Sequence, residues 1–265
     1  MLLKAHLWDS FQRMQHLVFS DMDGTILDHD TYSFEPALPA LERLRALQVP
    51  VIFATSKTRA ETEFWRQAMN TPHPFIVENG GAAYIPAGPG YQTLTWGTPY
   101  PVLVEALQRA SEASGCPVRG FASMTTAEVA EACALPMEMA VMAAQREYDE
   151  PFEVLDETRA EALTQAIEAQ GLRVTRGGRF WHITGANDKG LAVEAVQRHY
   201  AEPRRTIGLG DGLNDVPLLL ACDVAVIVRS LQSGAIQQQV PHGTITINRG
   251  PAGWNEAILA LFGNA

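Results

Sequence analysis

The sequence predicts an α/β protein whose parallel-sheet core is interrupted by an inserted α+β module. Three observations lead there. Short apolar runs alternate with helical stretches toward both ends of the chain. The rhythm changes after a stretch at 86–90 in which Pro and Gly alternate, and returns near Lys189. Acidic, glycine-bearing turns follow an apolar run in each half, at Asp21-Met22-Asp23-Gly24 and at Gly210-Asp211-Gly212. Alternating strands and helices build parallel sheets through right-handed crossovers.

The elements follow in chain order. Residues 1–13 read as an addition or as an amphipathic arm, and Met14 is a second candidate start. No sustained apolar stretch opens the chain, so no secretory signal is expected. Residues 16–20 form an apolar strand running into Asp21. Leu38, Leu41, Leu44 and Leu47 recur at helical spacing. Residues 49–54 read as a buried strand, 58–69 as a helix and 75–77 as a third strand. The 86–90 stretch reads as a linker.

In the insertion, 102–114 and 157–170 read as helices, and 127–144 as a helix broken near Pro136. Residues 173–175 and 180–184 form a hairpin about Gly177-Gly178. Then Leu191, Val193, Ala195 and Val196 mark a helix, 206–209 a strand, 214–221 a helix and 224–228 a strand. Residues 244–247 and 254–262 read as a closing strand and helix.

Composition narrows the function. A hydrophobic fraction of 46% supports a real core, and no apolar run approaches a membrane span. The net charge of −10 argues against general nucleic-acid binding. Local cations still leave room for a small anionic substrate. Cys116, Cys133 and Cys222 are scattered, so neither a disulfide framework nor a zinc site is expected, and a cytoplasmic location fits.

Four motifs carry chemistry. In Phe19-Ser20-Asp21-Met22-Asp23-Gly24-Thr25 a strand delivers two carboxylates into a turn, which suits a nucleophile and a proton donor on one substrate. In Gly208-Leu209-Gly210-Asp211-Gly212-Leu213-Asn214-Asp215, Asp211 and Asp215 suit a hard divalent cation. Asn214 or Asp215 equally reads as a helix cap. Thr55 and Ser56 stand between a strand and a helix, where hydroxyls and N–H groups meet an oxyanion or simply cap the helix. Lys189 opens a helix against the dipole, so an anion in a shared site, or solvent, accounts for it.

Together these motifs resemble the haloacid dehalogenase superfamily of phosphotransferases over the whole chain. The resemblance implies a Rossmannoid core at 1–88 and 187–265 with a C2-type cap at 89–186. It makes Asp21 the nucleophile and Asp23 the general acid/base, with Thr55 and Lys189 on the phosphate. It implies Mg²⁺ held by Asp21, Asp23 through its backbone carbonyl, Asp211 and Asp215. Within that superfamily, Thr55-Ser56-Lys57-Thr58, Val77-Glu78-Asn79-Gly80-Gly81, the 145–152 run and the Arg179-Phe180-Trp181-His182 cluster resemble the mannosyl-3-phosphoglycerate phosphatases, whose members include glucosyl-3-phosphoglycerate users. That likeness implies substrate contacts from Ser56, Asn79, Gly80, Arg146, Glu147, Arg179, His182 and Asn214. Arg146 and Arg179 are expected on the glycerate, Glu147 and His182 on the sugar. The expected partner is a small phosphorylated sugar or glycerate, not nucleic acid or membrane. A phosphomutase and a non-catalytic sugar-phosphate binder are the competing readings.

Overall fold

The computed structural model describes residues 15–176, 180–200 and 204–263. The lead segment, the Gly177-Gly178 turn and Arg179 lie outside them. Two compact units divide the chain: residues up to Phe53 with those from Val193 onward, and Ala54–Ala192. The expected insertion at 89–186 lies inside the second unit, which is wider.

In chain order the strands are β1 (His16–Ser20), β2 (Val51–Ala54), β3 (Phe75–Val77), β4 (Ala82–Ala87), β5 (Gly90–Thr95), β6 (Val118–Gly120), β7 (Asp149–Val154), β8 (Arg173–Arg176), β9 (Trp181–Thr184), β10 (Arg205–Gly210), β11 (Val224–Arg229) and β12 (Thr244–Arg249). The first unit is an α/β fold around a parallel sheet in the order β12-β11-β10-β1-β2. Every residue of β1 and β2 is buried, as expected of parallel strands covered on both faces. The helix Leu38–Ala46 buries Ala40, Leu41 and Leu44, and the helix Gly250–Phe262 buries Trp254, Ile258 and Phe262. The register pairs Ser20 with Leu209, so Asp21 and Asp211 leave neighbouring strands at the same carboxyl edge.

The second unit differs from expectation in two places. Residues 86–90 are not a linker. β4 and β5 pair antiparallel down to Ala87 and Gly90, so the Pro- and Gly-rich stretch is a hairpin tip. Gly88 (φ 56) takes the positive φ that a two-residue hairpin turn requires. The charged run at 145–152 also contains a strand. β7 sits between β6 and β9 in the antiparallel order β6-β7-β9-β8. Asp, Glu and Pro have poor strand propensity, and packing overrides it here. β6 pairs only with Phe152 to Val154, so Pro151 sits where β7 has one strand neighbour.

Helices Tyr100–Ser114 and Ala160–Glu168 cover one face of this sheet. Leu103, Leu107, Phe152, Leu163, Ile167 and Ile183 form that core. A smaller cluster of Phe121, Val129, Cys133, Ala140, Ala143 and Phe180 lies under helices Thr126–Cys133 and Met137–Ala143, which divide before Pro136 and Met137 as the sequence predicts. The three cysteines are buried and none is in a disulfide, and burial pushes the Cys222 thiol up to about 12. Among the described residues no helix is long and apolar enough to cross a membrane.

Candidate active site

The first unit gathers three carboxylates at the strand ends. Asp21, Asp211 and Asp215 each offer an oxygen, and these atoms lie within 4.8 Å of one another. Each is held from behind. The Asp21 N–H donates to Leu209 O at 2.9 Å. Its carbonyl accepts from Ser20 Oγ at 2.7 Å, and that hydroxyl accepts from Trp254 Nε1 at 3.0 Å. Asp211 Oδ1 accepts from Thr25 Oγ1 at 2.7 Å, and its carbonyl accepts from Ser230 Oγ at 2.7 Å. Asp215 Oδ2 accepts the N–H groups of Asp211 (3.0 Å) and Gly212 (2.9 Å), which closes the acidic turn.

Gly24 (φ +73) is required at this centre, since a Cβ there would lie 2.5 Å from Asp211 Oδ2. The donor set is all carboxylate oxygen, with neither His nor Cys in the group. It fits a hard divalent cation of the Mg²⁺ kind. The Asp23 side chain stands outside the three, on a tight turn where Gly24 N–H bonds Leu27 O at 2.9 Å. Asn214 is half-buried in the same acidic turn. Thr25 and Ser230 are contributors that the motif reading passed over; Thr25 was visible as the last residue of the first motif.

The second unit holds the remaining expected residues. Thr55 is buried, and its Oγ1 accepts the Lys57 N–H at 3.1 Å, leaving its own proton to donate. Its backbone is tied to β3 and the turn beyond, with N–H to Ile76 O at 3.1 Å and carbonyl to Asn79 N–H at 2.9 Å. Lys57 pairs with Glu61 at 3.4 Å, and Thr58 and Glu61 form a capping box on helix Arg59–Ala68. Lys189 is 1% exposed at the start of helix Lys189–His199, where Asp188 Oδ1 caps Leu191 N–H at 2.9 Å. Burying an ammonium demands anionic company, which a solvated surface lysine does not.

Glu78, Asn79 and Gly80 turn through φ values of 47°, 54° and 88°. Such a run costs roughly 1 kcal/mol or more for each non-glycine residue and persists only where the surroundings impose it. Gly80 has no space for a side chain, because a Cβ would lie 2.1 Å from Asp188 O. The turn aims Glu78 at 147–148, whose N–H groups its carboxylate accepts at 2.8–3.1 Å. Burial pushes Glu78 up to about 8, against Arg146 and those N–H groups.

Arg146, expected on the glycerate, also makes two hydrogen bonds to the backbone. Its Nε and Nη1 donate to Ala143 O (2.9 Å) and Ser56 O (2.8 Å). Asp149, Glu61 and Glu78 surround it and, against the cost of burial, hold its guanidinium charged. Arg146 thus braces the Ser56 loop. Arg146→Ala is expected to cost of order 2 kcal/mol or more, because buried carboxylates lose their counter-charge. It should also slow hydrolysis of p-nitrophenyl phosphate together with larger substrates, since Ser56 loses its support. A loss confined to larger substrates, with no change in melting temperature, would contradict the brace.

Glu147 is exposed and its Oε2 accepts from Tyr84 OH at 2.7 Å. His182 Nδ1 meets Asp149 at 2.9 Å. Glu150 in β7 accepts from Tyr100 OH (2.7 Å) and Ala122 N–H (3.0 Å). Burial pushes Glu150 up to about 7. The folded state then keeps this proton after the unfolded chain has released it, so stability falls as pH rises from the usual carboxyl range through about 7. Glu150→Gln should therefore lose less melting temperature than wild type between about pH 5 and about pH 8. Parallel melting curves for the two proteins would refute this.

A family profile described as haloacid dehalogenase-like hydrolase matches residues 18–94. A glucosyl-3-phosphoglycerate/mannosyl-3-phosphoglycerate phosphatase from Methanococcoides burtonii is 38% identical, over 94% of this chain and 98% of its own. A mannosyl-3-phosphoglycerate phosphatase from Pyrococcus furiosus is 32% identical, over 83% of this chain and 93% of its own. Among solved structures, a sugar phosphatase of haloacid dehalogenase subclass IIB superposes with TM-score 0.68 at 18% identity, covering 94% of this chain and 99% of that one. The sucrose-phosphatase of Synechocystis superposes with TM-score 0.65 at 18% identity, covering 95% and 99%.

Proposed function

The chain belongs to the haloacid dehalogenase-like hydrolases as a phosphoric monoester hydrolase, and on that premise we propose that it converts a glycosyl-3-phosphoglycerate, mannosyl or glucosyl, to the glycosylglycerate and phosphate. The observation that carries the chemistry is the group of Asp21, Asp211 and Asp215 at adjoining strand ends. Full-length likeness to phosphatases of that name supports the substrate.

Asp21 attacks phosphorus and forms an aspartyl-phosphate as the P–O bond to the glycerate breaks. Asp23 gives its proton to the departing alkoxide and then takes one from the water that cleaves the aspartyl-phosphate. Thr55 and Lys189 stabilise the charge on the transferring phosphoryl oxygens. Asp21, Asp211 and Asp215, with the Asp23 carbonyl, would hold Mg²⁺, whose charge offsets repulsion between a carboxylate nucleophile and a phosphate dianion. Ser56, Asn79, Gly80 and Asn214 are counted with the substrate-binding residues in this reading, and Glu147 and His182 serve the sugar. The module at 89–186 serves as the substrate-reading cap.

Phosphate release across mannosyl- and glucosyl-3-phosphoglycerate, 3-phosphoglycerate and free sugar phosphates, with Mg²⁺, tests the reading. The glycosyl-3-phosphoglycerates should give the highest kcat/KM. A free sugar phosphate turned over faster than either would replace the substrate. Transfer of phosphate to a second hydroxyl without release would replace the reaction class.

A further inference from the structure

A buried aspartate that binds nothing but neighbours invites the question of what it is for. Asp149 opens β7 at 0% exposure. Its Oδ1 and Oδ2 lie 2.9 and 3.0 Å from His182 Nδ1, and Oδ2 also accepts Asn79 Nδ2 at 2.8 Å. Burial alone would push this carboxyl up, but the His182 ring, Arg146 and the Asn79 amide outweigh it and hold it low. An ionised carboxylate only accepts hydrogen bonds, so His182 must donate from Nδ1. That leaves Nε2 as the outward atom, an acceptor when the ring is neutral and a donor when it is charged.

The strand register gives the direction. Successive side chains alternate between sheet faces. Ile183 packs in the core beneath the two covering helices, so His182 stands on the other face. The His182 side chain is 13% exposed, and among the described residues Nε2 has no protein partner. Asn79 is anchored in turn: its N–H donates to Thr55 O at 2.9 Å and its carbonyl accepts from Asn187 Nδ2 at 3.3 Å. Left-handed backbone at Asn79 (φ 54) is the conformation that brings its amide to Asp149.

We propose that Asp149 and Asn79 are positioning residues that lock His182 with Nδ1–H turned inward, presenting Nε2 to a hydroxyl of the substrate's sugar. The inference rests on the glycosyl-3-phosphoglycerate reading for the identity of that hydroxyl. The locking itself stands on Asp149, Asn79 and His182 alone. A carboxylate behind a ring nitrogen sets the tautomer and orientation of the opposite nitrogen, as it does behind metal-bound and catalytic histidines.

The test combines three variants, His182→Ala, Asp149→Asn and the pair. With a glycosyl-3-phosphoglycerate, His182→Ala and Asp149→Asn should each raise KM by about tenfold, with the larger part of the loss in KM rather than kcat. Asp149→Asn should add little on top of His182→Ala, because a residue acting through another is non-additive with it. Nitrogen-15 spectra of the imidazole should show neutral His182 protonated at Nδ1 in wild type and moved toward the Nε2–H form in Asp149→Asn. Fully additive KM effects, an unaltered KM in the soluble His182→Ala variant, or a wild-type ring protonated only at Nε2 would each overturn the proposal. If wild type hydrolyses no glycosyl-3-phosphoglycerate, the substrate reading falls, and the tautomer spectra still decide the locking.

Discussion

Replacing Asp21 by Asn leaves a folded protein whose phosphate release drops by about four orders of magnitude or more, the scale seen when a nucleophile is removed. The fold survives because two of the bonds that seat this residue run through its backbone: the N–H to Leu209 O and the carbonyl to Ser20 Oγ. An amide is nearly isosteric with the carboxyl, so the buried position (6% exposed) is not emptied. What goes is the anionic oxygen that attacks phosphorus and one of three oxygens in the cation group. Melting temperature and phosphate release, measured on one preparation, check both halves. Acid-quenched wild type should carry phosphate on protein during turnover, and the variant should carry none. Steady-state turnover within tenfold of wild type would end the covalent mechanism.

Chelation is the second large effect. Treatment with EDTA should suppress activity by at least about a hundredfold, and Mg²⁺ should restore it. The two remaining aspartates should fail differently. Asp211→Ala removes an oxygen donor and takes away the acceptor of the Thr25 hydroxyl. Asp215→Ala removes a donor and also strands the N–H groups of Asp211 and Gly212, each of which costs about 1–3 kcal/mol when buried and unpaired. Asp215→Ala should therefore melt well below Asp211→Ala even in metal-free buffer, while both lose the rise in melting temperature that Mg²⁺ gives wild type. Full activity after exhaustive chelation, or equal melting of the two variants, would contradict this account.

Much of the first unit was legible in the sequence. Its strands are short apolar runs rich in β-branched residues, and parallel strands buried on both faces must look like that. The acidic turns were legible because glycine beside aspartate marks a strand end for local reasons. The second unit was harder. β7 reads Asp-Glu-Pro-Phe-Glu-Val, a sequence that argues against a strand until Phe152 is seen packing with Ile183. β4 and β5 were hidden by turn residues at 86–90, which punctuate a hairpin as readily as a linker. Glu78, Asp149 and Glu150 were invisible as a group, because their neighbours, Glu147 and Tyr148, His182, and Tyr100 and Ala122, lie up to seventy positions away. The hydrogen bonds of Arg146 to Ala143 O and Ser56 O were equally hidden, because no side-chain pattern announces a carbonyl partner.

The wiring of the second unit bears on how such chains diversify. The Thr55–Thr58 loop is joined to residues far along the chain: Arg146 donates to Ser56 O, Thr58 Oγ1 to Met142 O at 2.9 Å, and Glu78 receives the N–H groups of 147–148. Chain order would put the loop with one half of the protein and residues 142–148 with the other. Inheritance by recombination would find this seam in the wrong place. A graft that swapped only 89–186 would strand Glu78 against a foreign backbone and Ser56 against a foreign side chain. New specificities in this architecture are therefore expected to arise by point substitution around His182, on the sheet face opposite the two covering helices. A wholesale exchange would have to carry the 55–58 loop and the 78–80 turn along with it.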